Sequence, residues 1–240
     1  MYKSQHYKFI TTPLSKILED GVNASRGIGS GIETYPLCDY IMQSIFLKMT
    51  GAQEQKMKCI CWEMATNDYK YRYEYLNNKN YGEHSDYKSK NSIYKDLIKQ
   101  IPQFSISIIT TEISNVKNTI NDILGNTCLY FAQQKSFMNF MSDNKVLKDN
   151  QIKQSQSNSY PLFQSDLQKY YDEIVYDHRN RCAHNLTSYQ QNLPTLNTLA
   201  NPDYIYRNYF FRFAILILID EIFICLYKKY IEVLVNNINW

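Results

Sequence analysis

The stretch that most constrains this chain is residues 210–227, FFRFAILILIDEIFICLY, a dense apolar run interrupted by Arg212, Asp220 and Glu221. Its longest charge-free part, residues 213–219, is far short of the roughly 20 apolar residues that a membrane span requires. Charges at mid-bilayer depth are costly as well. The stretch therefore predicts a helix buried in protein, and a buried helix needs other helices or a sheet to cover it.

The rest of the chain offers helices. About six helical segments succeed one another with no alternation of strand and helix, which predicts an all-α bundle. Twenty-two tyrosines against seven glycines and six prolines agree with a helical protein that carries amphipathic aromatic surface, rather than one rich in turns. The length of 240 residues allows one large domain or two small ones. A hydrophobic fraction of 44%, a charged fraction of 20% and a mean hydropathy of −0.46 exclude a disordered chain and a multi-pass membrane protein. Six cysteines are too sparse for a secreted disulfide scaffold of this length. The first twenty residues lack the apolar run and cleavage site of a secretory leader, so the cytoplasm is the expected compartment. A net charge of +3 argues against a polycation that coats nucleic acid, but it leaves room for a local phosphate site.

Four of the seven glycines fall in 21–31, GVNASRGIGSG, which reads as a boundary or a loop. The spacing matches neither a dinucleotide fingerprint nor a phosphate loop. The expected organisation is an N-terminal extension with a glycine-rich loop, 1–35, and a helical domain, 36–240, whose motif-bearing part is 165–235. Within that domain, Pro36 starts a helix that Gly51 ends, and a second helix begins near Gln53. Further helices are predicted at 87–101, at 110–124, near Phe137, at 165–185 and at 204–235. Residues 104–109 alternate like a strand, and the polar stretch 150–159 reads as a surface linker.

Three places carry candidate chemistry. Cys59 and Cys61 form a C-x-C pair, but residues two apart on a helix point roughly 200° from each other and cannot share an ion there; they read as core cysteines. No metal site is predicted. The string YKYRYEYL, 69–76, interleaves rings and charges, and Tyr69 with Arg72 forms a secondary candidate for stacking on single-stranded RNA; amphipathic packing is the plainer reading.

The third place is YDEIVYDHRNRCAHN, 171–185. Leu167, Tyr170, Ile174, Val175 and Cys182 supply the apolar side of this helix, and Arg179, Asn180 and His184 lie near its end. Tyr176, Asn180 and His184 share a face, while Arg179 lies roughly 100° around and reaches the same space with its long side chain. Arg presents a planar fork matched to phosphate oxygens, and its fixed charge stabilises a phosphorane. A histidine titrating near pH 6.5 takes a proton from a ribose 2′-hydroxyl or gives one to a leaving 5′-oxygen. Asn180 orients a neighbour or binds the phosphate, and Arg181 adds a second cation. The plain alternative is a cation at a helix C-terminus, with Asp177 and Arg181 forming an i,i+4 pair. His178 is a weaker candidate, because it points away from Asn180.

At Arg179-Asn180-Arg181-Cys182-Ala183-His184 the sequence resembles the HEPN superfamily of helical ribonucleases, whose mark is an Arg, four to six residues and a His near the end of a helix. The resemblance is specific over 165–235 and only architectural over 36–123. It implies a HEPN-like bundle with additional helices and a two-fold dimer in which two Arg and His sets face one cleft, so that two copies of His184 divide the roles of base and acid. It implies an endoribonuclease that needs no metal or other cofactor and leaves a 2′,3′-cyclic phosphate and a 5′-hydroxyl. It also implies a setting in antiphage defence or as a toxin, with an antitoxin or sensor protein as a further partner. The alternative is a catalytically inactive helical module that binds RNA, a nucleotide or a partner protein. A purely helical scaffold subunit is a third reading.

Overall fold

The structure, a computed structural model, describes residues 4–29, 31–78, 84–101, 110–148, 151, 161–184 and 196–238, with the backbone alone at 78, 110–114, 184, 198, 199, 237 and 238. Among the described residues every regular element is a helix. The strand candidate at 104–109 lies outside the described residues, as does the linker candidate at 150–159 apart from Gln151.

The apolar stretch forms the C-terminal helix α12, Tyr209–Ile238. Asn208 begins it, its Oδ1 accepting from the amides of Phe210 and Phe211 at 3.0 and 3.3 Å. Every residue from 208 to 220 is buried, so the other helices surround this one on all sides. Each buried Phe, Leu or Ile there contributes about 1.5–3 kcal/mol of transfer free energy, which makes α12 the centre of the core. The charges that break the apolar run are partnered. Asp220 Oδ1 lies 2.7 Å from Lys56 Nζ, and its Oδ2 accepts from the Leu14 amide at 2.8 Å. Arg212 donates from Nε to the carbonyl of Ile174 at 3.0 Å and from Nη2 to that of Arg207 at 3.1 Å. Among the described residues no helix is long and apolar enough to cross a membrane.

Within the expected N-terminal extension 1–35 lie the helices α1, Tyr7–Thr11, and α2, Ser15–Ala24. Ile10, Leu14, Leu18 and Val22 belong to the same core as α12, because α2 carries an apolar stripe at helical spacing. Gly21, read from sequence as part of a loop, sits inside α2 at a close approach to the next long helix: a Cβ there would come 2.4 Å from Ile45 Cδ1. That helix is α3, Tyr35–Asn67, a single element where two were expected. Gly51 does not end it. A glycine in a helix interior costs about 1 kcal/mol relative to alanine, whereas Met49, Gln53, Met57 and Ile60 are all buried on either side of it.

The remaining helices are α4, Tyr69–Asn78; α5, Tyr87–Lys99; α6, Thr110–Leu124; α7, Cys128–Ala132; and α8, Gln134–Ser142. The predicted helix at 165–185 is three pieces: α9, Ser165–Tyr170; a π-helical segment, Tyr171–Tyr176; and α10, Asp177–His184. A short α11, Leu196–Ala200, and a 3₁₀ turn, Pro202–Tyr206, lead into α12, which therefore starts later than residue 204.

The buried Lys56–Asp220 pair joins α3, α12 and the turn between α1 and α2, since Lys56 also donates to the Thr12 carbonyl. Burial pulls Lys56 down and pushes Asp220 up, and each partner's charge opposes that. Asp220→Ala would leave a buried cation without its counter-ion and should lower stability by about 3–5 kcal/mol in urea denaturation. The double variant Lys56→Met, Asp220→Leu should recover most of the loss. A double variant no more stable than Asp220→Ala would contradict the role given to this pair.

Candidate functional site

The motif helix owes its orientation to the π-helical segment before it. Wide i→i+5 turns occur mostly as short insertions within α-helices, frequently at functional sites, and they rotate the next turns of helix away from the direction a regular helix would give them. Here Tyr171, Ile174 and Val175 are buried while Tyr170 is only half-buried, so the fully buried tyrosine is Tyr171 rather than the Tyr170 read from a uniform period. The buried guanidinium of Arg212, lowered to about 10 by burial, reaches the Ile174 carbonyl inside this segment and so ties it to α12.

From there α10 runs unbroken to His184. Arg179 keeps 28% of its side chain exposed; its Nη1 donates to Asn180 Oδ1 at 3.2 Å, and its Nη2 lies 3.6 Å from Glu54 Oε2 on α3. Asn180 thus orients Arg179. His184 ends the helix four residues after Asn180, and its side chain lies outside the described residues. Arg181 is half-buried, and its charge acts on His178 and Cys182. Among the described residues it makes no ion pair with Asp177, despite the i,i+4 spacing.

His178 is half-buried, with its ring against the core. Its ring packs on Phe46 and Tyr209 at centroid distances of 5.2 and 5.5 Å, and its Nε2 lies 3.4 Å from both the Tyr209 hydroxyl and the Cys182 sulfur. Burial, with Arg212 and Arg181 nearby, lowers it to about 2, so it is neutral at any physiological pH.

Beside Arg179 opens a small pocket with room for about one water-sized group, lined by Thr50, Gln53, Ser85, Lys90, Tyr171, Val175, Tyr176, Arg179 and Leu216. Tyr176 therefore does share a cavity with Arg179. Lys90 is 2% exposed, with Nζ donating to the carbonyls of His84 and Ser85 at 2.5 and 3.0 Å. The N-cap Asp86, which accepts from the Ser89 amide at 2.6 Å, starts α5 so that Lys90 falls in its first turns. Burial pulls Lys90 down to about 7; Asp86 and Glu54 oppose this, and Arg179 adds to it. His84 is buried with neither ring nitrogen hydrogen-bonded, and burial lowers it too, with help from Lys90 and Lys58.

Sequence reasoning missed Glu54, Gln53, His84 and Lys90. A signal existed for two of them: position 90 lies in the apolar stripe of Tyr87, Tyr94 and Leu97, and position 53 in that of Met49, Met57 and Ile60, so a polar residue at either is buried. Tyr69 and Arg72, by contrast, line no part of this pocket. They are exposed on α4, which begins at the C-terminal end of α3, with the Arg72 guanidinium 5.3 Å from the Tyr69 ring centroid. Cys61 is buried and Cys59 half-buried, both as reduced thiols. Among the described residues no three His, Cys, Asp or Glu side chains are grouped to hold a metal ion.

The burial of His178 has a measurable consequence. The unfolded chain takes up a proton there near pH 6.5, whereas the folded ring stays neutral down to about pH 2. The unfolded state therefore binds more protons between those values, so this residue costs stability progressively as pH falls below 6.5. The His178 ring resonances should stay at the neutral position from pH 8 to pH 5, and a folded-state titration near 6.5 would refute the core placement.

Compared with known proteins, the chain matches no family model, no curated protein and no solved structure.

Proposed function

We propose that this chain is an endoribonuclease of the HEPN kind, a homodimer that cleaves RNA without a metal. The observation that carries the reading is Arg179, held by Asn180 and Glu54 at the mouth of a pocket, on an unbroken helix that reaches His184 one turn after Asn180. A guanidinium oriented in advance stabilises the charge that develops on a phosphorane without reorganising during the reaction.

In the cleavage step a ribose 2′-oxygen attacks the adjoining phosphorus, its proton passing to one His184. The bond from phosphorus to the 5′-oxygen breaks, and the second His184 of the dimer gives that oxygen a proton. The products are a 2′,3′-cyclic phosphate and a 5′-hydroxyl. Arg179 sheds part of its pairing with Glu54 to take the phosphate. Tyr176 offers a ring against a base, and Arg181 a second cation for a flanking phosphate. Tyr69 and Arg72 provide a separate exposed stacking pair for a longer strand.

The second reading, a binding module in which Arg179 ties α10 to α3, draws on the same Glu54 pair. Total RNA incubated with the purified chain in EDTA separates the two. The nuclease reading expects fragments with cyclic-phosphate and 5′-hydroxyl ends, a loss of about 100-fold or more in Arg179→Ala and His184→Ala, and an unchanged dimer in sedimentation. Intact RNA with the unaltered chain, or cleavage retained by either variant, would overturn it.

A further inference from the structure

The pocket next to Arg179 holds a buried acceptor that nothing satisfies. Gln53 is 1% exposed; its Nε2 donates to the Leu216 carbonyl at 3.0 Å, which fixes the amide's orientation and leaves Oε1 on the other side without a hydrogen-bond partner. A buried polar atom left unpaired costs roughly 1–3 kcal/mol, so such an atom on a pocket wall marks a place for a donor. Lys90 lines the same pocket. Two of its three ammonium hydrogens go to the carbonyls of His84 and Ser85; the third enters no hydrogen bond among the described residues, and Nζ lies 5.4 Å from the centroid of the Tyr171 ring that lines the same pocket.

These two groups narrow the occupant. A phosphate oxygen accepts from Lys90 but carries no hydrogen for Gln53 at neutral pH. An ammonium satisfies Gln53 but is repelled by Lys90 and Arg179. A hydroxyl does both, donating to Gln53 Oε1 and accepting from Lys90 Nζ. The pocket has room for a water-sized group only, and Val175 and Leu216 make part of its lining apolar. Arg179 and Tyr176 at the same cavity provide for the phosphate and base of whatever carries that hydroxyl.

We infer that the Gln53–Lys90 pocket is a ribose-reading subsite, taking a 2′-hydroxyl of the bound strand outside the scissile position and thereby selecting RNA over DNA. This rests on the reading of the chain as acting on RNA, and assigns Gln53 and Lys90 to binding rather than to proton transfer. Burial and Arg179 disfavour the Lys90 ammonium while Asp86 and Glu54 favour it, and a phosphate bound at Arg179 offsets that guanidinium.

The test compares three oligonucleotides of one sequence, all-ribose, all-2′-fluoro and all-2′-deoxy, for binding to the His184→Ala chain, so that no strand is cut. The 2′-fluoro strand keeps the ribose-like sugar pucker but has no hydrogen for Gln53. The ribose strand should bind roughly 10-fold more tightly than either of the others, the worth of pairing one buried acceptor. In the same background Gln53→Met should bring the ribose and 2′-fluoro strands to within a factor of about two. Equal binding of ribose and 2′-fluoro strands before Gln53 is changed, as expected if only water occupies the pocket, would overturn the inference. So would a ribose preference that survives Gln53→Met. Should Gln53→Met fail to fold, the first comparison decides alone. A Gln53-dependent preference in a chain that cuts no RNA supports the pocket and removes the nuclease; cleavage without the preference removes the pocket alone.

Discussion

Burial of α12 is the constraint on which the rest of the structure depends. A helix apolar on every side cannot lie on a surface, so α1, α3, α5, α6, α8 and the π-helical segment pack around it. Its two buried charges then decide how they pack. Asp220 requires a cation and a backbone donor, and it finds them in Lys56 and the Leu14 amide. Arg212 requires acceptors, which the carbonyls of Ile174 and Arg207 supply. Charges at these depths are tolerated only where partners complete them, and each completed set fixes one neighbouring element relative to the core.

The candidate site depends on the second of these sets. Arg212 anchors the π-helical segment, that segment turns α10, and α10 delivers Arg179 toward Glu54 of α3 and the pocket floored by Gln53 and Lys90. Residues from three elements distant in sequence, α3, α5 and α10, thus meet at one cavity. The same packing turns His178 inward, where loss of solvation keeps it neutral, and leaves Arg179 partly exposed one residue later.

Much of this was legible in the residues. The all-α class, α6, α8, the start of α5 and a buried rather than membrane-spanning C-terminal helix are set by periodicity and composition. So is the direction of His178 away from Asn180, which helical spacing sets. The boundaries that failed did so for packing reasons. Gly51 reads as a stop because local propensity opposes it, yet the core contacts on both sides outweigh about 1 kcal/mol. Within 1–35 the glycine cluster reads as a loop, yet Gly21 lies inside α2 and permits its close approach to Ile45.

What the sequence determined by itself is the helical class, the burial of 210–227 and the grouping of Arg179, Asn180 and His184 within one stretch of helix. These depend on spacing of about 3.6 residues, which is local. The tertiary structure alone decided that Glu54 pairs with Arg179, that Gln53 and Lys90 share its pocket, and that Tyr69 and Arg72 do not. Those outcomes depend on which partners satisfy Asp220 and Arg212 in the core, and no periodicity within a segment records a partner that lies on another helix.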